Sequence, residues 1–139
     1  MKPAWTFIGV LMFVAAAPAP ASAIQVIAHS SVNASHVSVD ELKGVFLVTR
    51  TSLPDGSHVE PVLLKSGDVH DIFVKQYTGK TTAALANYYR SLVFTGKGAM
   101  PKSLKSDAEM VAYVKKTKGA IGYVSDGAST EGVKVLDVK

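Results

Sequence analysis

The chain has 139 residues, about one domain at roughly 100–200 residues each. It contains no cysteine, which excludes disulfide frameworks, thiolate nucleophiles and zinc–cysteine clusters. Hydrophobic residues at 47% and charged residues at 19% describe a globular chain, and a net charge of +4 without runs of one sign gives no argument for nucleic acid as a partner.

Residues 1–23 do not read as part of the fold. Lys2 is followed by an apolar run from Phe7 to Ala17, broken by Pro18 and Pro20, and then by Ala21-Ser22-Ala23. A positive start, a short apolar stretch and a small-x-small site are the layout of a secretory signal peptide, here cleaved after Ala23. The run is too short for a membrane-spanning helix, which needs about 20 apolar residues. The expected domain is therefore 24–139. Export without cysteine points to a bacterial periplasm.

Beyond Ala23 the chain alternates strand and helix signals. Ile24–Ala28 is short and β-branched, a strand. Ser30–Ser35 is polar and loop-like. Ser38-Val39-Asp40-Glu41 has capping-box spacing and opens a helix whose apolar stripe is Leu42, Val45 and Phe46. Pro54-Asp55-Gly56 is a turn, and Val59–Leu64 a second strand. Asp68–Tyr77 reads as a helix with Val69, Ile72, Phe73 and Tyr77 on one side. Leu85, Tyr88, Tyr89, Leu92 and Val93 mark another amphipathic helix, ended by Gly96, Gly98 and Pro101. A second capping box at Ser106–Glu109 opens a helix with Val111 and Val114 on its stripe. Gly119 stops it. Ala120–Val124 and Val133–Val138 close the chain as strands. Strands separated by helices predict an α/β sheet domain with helices on its faces.

Most chemical candidates are thin. His29, His36, His58 and His70 are scattered and never spaced i, i+4, so a metal site would need distant residues to converge. Ser30, Ser31 and Ser35 lack a Gly-x-Ser-x-Gly elbow, which argues against a hydrolase. Gly96 and Gly98 do not follow a strand, so no dinucleotide loop is indicated. Tyr88, Tyr89 and Phe94, at helical spacing, read as core.

Lys65-Ser66-Gly67-Asp68-Val69-His70 is the better candidate, because it joins a strand end to a helix start. The first N–H groups of a helix lack internal partners and, with the helix dipole, attract anions. Ser66 adds a hydroxyl, Gly67 lets a ligand reach the backbone, and Lys65 and His70 can add positive charge. Against this, Asp68 is a good N-cap residue whose carboxylate could occupy the same N–H groups. The residues alone leave both readings open.

A resemblance then bears on the choice. Asp40-Glu41-Leu42-Lys43-Gly44-Val45-Phe46-Leu47 resembles a helix of the phosphate-binding-protein family, the solute receptors of bacterial phosphate ABC transporters. The likeness continues through Asp55-Gly56, Val59-Glu60-Pro61-Val62, the Ser66-Gly67 step with Asp71-Ile72-Phe73, and Glu109–Val114. It ends in Gly119-Ala120-Ile121-Gly122-Tyr123-Val124, the most specific piece, with Lys118 where proline is common. Phe94-Thr95-Gly96-Lys97-Gly98 with Pro101 is similar to a short, half-length branch of the family. The family's receptors have two α/β lobes closing on the anion, and the segments matched here all resemble the second lobe.

The resemblance implies a single receptor-like lobe with a mixed or mostly parallel sheet and helices on both faces. It implies non-catalytic binding of phosphate or a similar oxyanion, with no cofactor. Ser66, Gly67 and the Asp68 and Val69 backbone would hold the anion, and Lys65 or His70 would supply charge. Two departures stand out: Lys65 or His70 replaces an arginine, losing its bidentate fork, and Asp68 replaces a threonine, adding charge that repels a dianion. The implied partners are the anion and a membrane transporter or other envelope protein. Two alternatives compete: an envelope interaction module that has lost anion binding, and a self-associating lobe that rebuilds a two-lobed cleft.

Overall fold

The computed structural model describes residues 24–138, so the signal-peptide reading of residues 1–23 lies outside the described residues. Strand β1 (Ile24–Ala28) leads through a polar loop to a two-residue strand β2 (His36–Val37). Helix α1 (Val39–Phe46) follows, with both halves of its capping box formed: Glu41 N–H donates to Ser38 Oγ and Ser38 N–H to the Glu41 carboxylate, each at 3.1 Å. Its Leu42, Val45 and Phe46 are buried, as their i, i+3, i+4 spacing requires.

Strand β3 (Glu60–Leu64) is followed by α2 (Asp68–Phe73), which passes directly into a π-helical turn, Val74–Thr78. One continuous α-helix over 68–77 was expected. The widening occurs where the buried Thr78 hydroxyl turns back to donate to the Val74 carbonyl, and Gly79 then ends the run in the left-handed region. Helix α3 (Thr82–Phe94), strand β4 (Lys102–Leu104), helix α4 (Asp107–Lys116) and strands β5 (Ala120–Ser125) and β6 (Lys134–Val138) complete the domain. β2 and β4 were not anticipated. On α4 the fully buried residues are Met110 and Val114, while Val111 is only half-buried.

The six strands form one sheet in the order β2-β6-β1-β5-β3-β4. β2/β6, β5/β3 and β3/β4 pair parallel, while β6/β1 and β1/β5 pair antiparallel, so the sheet is mixed with parallel pairing in the majority. Alternation along β5 assigns the helices to opposite faces. Gly122 faces α4, where an added Cβ would fall 2.5 Å from Met110 Sδ, so glycine lets that helix approach. Tyr123, the next residue, faces Phe46 of α1 and Phe73 of α2. Helix α3 is tied to the end of α1 by two adjacent tyrosines: Tyr88 Oη donates to Leu47 O and Tyr89 Oη to Phe46 O. Both acceptors are carbonyls at a helix end with no partner inside the helix.

The expected core role of Phe94 is overturned. It is 93% exposed, and its neighbour on the expected stripe, Val93, is 50% exposed. Leu85 and Tyr89 are buried, but the apolar stripe runs past what the fold covers.

Candidate functional site

Strand β3 ends in the middle of the sheet's parallel half, flanked by β5 and β4. The carboxyl ends of such strands, with a helix start after them, are where α/β folds present backbone donors to a ligand. Ser66 and Gly67 make the bend between β3 and α2. Gly67 has φ 106° and ψ 167°, a conformation essentially reserved for glycine, and an added Cβ there would point into open space.

The self-capping alternative for Asp68 is not what the structure contains. The N-cap is Gly67, Asp68 stands one position later as the first helical residue, and no side chain caps the helix. The first bond inside α2 is Asp71 N–H to Gly67 O at 3.0 Å, which leaves the earlier N–H groups without a helical acceptor. The contrast with the other helices is local chemistry. Ser38, Thr81 and Ser106 each accept a bond from the third residue of their helices. Glycine has no atom with which to do so.

Lys65, Ser66, Gly67 and Asp68 are exposed, Val69 is half-buried and His70 is buried. The six residues are brought together at one step, but they do not face outward together. His70 turns inward. Leu64 N–H donates to Tyr123 Oη at 3.0 Å, and the same hydroxyl is hydrogen-bonded to His70 Nδ1, as donor or acceptor according to the imidazole tautomer. Burial lowers the His70 pKa, opposed by the Asp71 carboxylate, and the ring is neutral near pH 7. Of the two candidates for positive charge, Lys65 is exposed at the step, while His70 is buried and its lowered pKa leaves it uncharged near pH 7. Asp68 and Asp71 lie in the first turn of α2.

Below the step is an aromatic stack. Tyr123 and Phe73 lie 3.8 Å apart and nearly parallel, and Phe46 meets Phe73 edge-on at 4.8 Å. Burial raises the Tyr123 pKa, so the phenol remains a proton donor throughout the physiological range. Tyr123 is the positioning residue that sequence reasoning missed. It joins the last residue of β3 to α2 from 59 and 53 positions away, and no local spacing signals that.

Lys65 and His70 also line a hollow of about 450 Å³ between β3, α3 and the start of β4, with Thr82 and Ser103 as further polar lining. A larger one, about 640 Å³, runs along α4 and is remote from this step; its Asp107 is already engaged by the Ser125 hydroxyl. Among the described residues no group of three or more His, Asp or Glu side chains could hold a metal ion, and no helix is long and apolar enough to cross a membrane.

No protein-family model matches the chain, and no curated protein matches it. Solved structures do. The chain is similar to an ABC-type phosphate transport receptor from Vibrio cholerae, with TM-score 0.63 and 12% identity over 84% of this chain and 46% of that one. It is similar to a Clostridium perfringens protein described as a phosphate ABC transporter substrate-binding protein and solved with phosphate bound, with TM-score 0.65, 16% identity, and 84% and 45% of the two chains covered. It is also similar to PstS from Borrelia burgdorferi, with TM-score 0.64, 12% identity, and 85% and 47% covered. At these identities the likeness is one of fold, and the fold is the one that the sequence resemblance implied. The chain spans less than half the length of each of these structures.

Proposed function

We propose that the chain is a non-catalytic, single-lobe binding module for phosphate or a similar oxyanion, acting in the periplasm. The observation that carries the reading is the uncapped start of α2, opened by Gly67 at the end of β3, in a fold shared with phosphate transport receptors. The anion accepts the N–H groups of Asp68 and Val69 and the Ser66 hydroxyl, and Lys65 balances its charge. Two carboxylates in the same turn, at Asp68 and Asp71, favour a monoanion over a dianion. An exposed half-site is screened by water and salt, so phosphate binds with Kd of roughly 10 μM to 1 mM. A transporter subunit or another envelope protein would supply what one lobe lacks.

Calorimetric titration with phosphate tests the reading. Saturable heat that weakens by about 1 kcal/mol in Ser66→Ala supports it. Absence of heat at millimolar phosphate would favour the second reading, an interaction module without an anion. That second reading draws on one specific observation, the exposure of Phe94 at the end of α3.

A further inference from the structure

The least protected apolar surface among the described residues is the C-terminal tip of α3. Phe94 is 93% exposed, Met100 53% and Val93 50%. A phenylalanine so exposed touches almost nothing of its own protein, so it projects. The three side chains form one patch: with Arg90 they line a single shallow hollow of about 230 Å³. The other exposed large apolar residues, Val39 on α1 and Val135 on β6, sit singly on other elements.

The stretch of chain that carries the patch is charged with one sign. From residue 72 to residue 106 the chain has no aspartate or glutamate, while Lys75, Lys80, Arg90, Lys97, Lys102 and Lys105 fall in that stretch. Arg90, Lys97 and Lys102 are exposed and stand within a few positions of Phe94 and Met100. On the far side of Met100, a separate hollow brings in Arg50 and the one nearby carboxylate, Glu60. An apolar projection with Arg90 beside it and exposed lysines on the neighbouring chain asks for an apolar surface bearing negative charge.

We propose that the tip of α3 docks onto an anionic lipid surface, with Phe94, Val93 and Met100 entering the headgroup–acyl boundary and Arg90, Lys97 and Lys102 pairing with lipid phosphates. A two-fold copy of the same chain meets the charge condition poorly, because it sets Arg90 and Lys97 against their own kind. A protein partner needs a cavity shaped for a projecting phenyl ring. A bilayer accepts a projecting ring without shape matching, and basic residues near an anionic surface add to the attraction. None of Lys65, Ser66, Gly67, Asp68, Val69 or His70 belongs to the patch; Met100 also borders the hollow that Lys65 and His70 line, but Val93 and Phe94 do not, and they carry the proposal apart from the oxyanion reading.

The test is flotation of the protein, as recovered from cells that export it, on phosphatidylcholine vesicles with and without phosphatidylglycerol. Every variant carries the same N-terminus, so differences report the tip. The expected result is binding to the phosphatidylglycerol vesicles, reduced roughly tenfold or more by Phe94→Ser with Met100→Ser. Lys97→Glu with Lys102→Glu should reduce it at least as much, as should high salt. Val135→Ser should leave it unchanged. All these positions are exposed, and circular dichroism checks that the variants are folded. Equal binding to both vesicle types, no binding to either, or wild-type binding by the Phe94/Met100 variant would overturn the proposal. A dimer in sedimentation that the same variant dissolves would give the tip to a second copy and overturn it too.

Discussion

Two phenylalanines each stand at the last position of a helix, and they have opposite fates. Phe73 ends α2, is fully buried and stacks on Tyr123. Phe94 ends α3 and is almost wholly in solvent. Phe73 lies on the apolar stripe of its helix, whereas Phe94 falls about half a turn away from Leu85, beside Val93, which is on the stripe of α3 and is itself half exposed. The difference is what the fold sets opposite them. α2 leans on the centre of the sheet, where β5 supplies an aromatic face. α3 is held by Tyr88 and Tyr89 to the end of α1, and its last turn extends beyond that anchorage. Periodicity says which side chains share a face; it does not say that anything covers the face. Where the cover is complete the chain can hold a loop such as 65–67 in a fixed shape, and where it is missing the side chain is left in solvent.

The sharpest way to break this comparison is to truncate both rings. Phe73→Ala should cost about 4 kcal/mol, the range for a fully buried phenylalanine, and Phe94→Ala should stay within about 0.5 kcal/mol, both read by urea unfolding. Comparable losses at the two sites would mean that the tip is covered after all. Next in size is Tyr123→Phe. It keeps the stack but leaves the buried Leu64 N–H without its acceptor, an expected loss of about 2 kcal/mol in the same assay. If the loop geometry depends on that bond, phosphate affinity falls as well.

Asp68→Thr should strengthen phosphate binding by about 1 kcal/mol, the scale of one charge at a helix end, and change stability little. Because Gly67 rather than Asp68 is the cap, no capping bond is lost. A loss of affinity instead would identify the Asp68 carboxyl as a group that accepts the proton of a monoanionic phosphate. The smallest effect at neutral pH belongs to His70. Its folded pKa is lowered from 6.5, so below that value the unfolded chain binds the proton more readily. Stability should therefore be unaffected at pH 7 and decline as the pH falls through 6.5 toward the depressed folded value. His70→Gln should flatten that part of the profile in acid-unfolding curves.

Much of the architecture was legible locally. Capping-box spacing at Ser38 and Ser106 located two helix starts, although the Glu109 carboxylate accepts Lys105 N–H instead of closing the second box, and short apolar runs located β1, β3, β5 and β6. The missed strands, β2 and β4, have two and three residues, too few to display alternation, and they exist because a neighbouring strand offers bonds. The position of the candidate loop was legible because strand-end and helix-start signals met there. The residues left an Asp68 cap open as an alternative, and the structure puts Gly67 at the cap, where glycine offers no side-chain signal. The inward turn of His70 was hidden, because its partner Tyr123 lies on a strand 53 positions away.

The central claim is that the start of α2 holds the anion, and backbone amide NMR during phosphate titration tests it most directly. The account predicts saturable shifts at Asp68 and Val69 N–H, with smaller ones at Gly67 and Lys65 and a quiet α4. Unmoved amides at 67–70, or shifts confined to another part of the sheet, would contradict it.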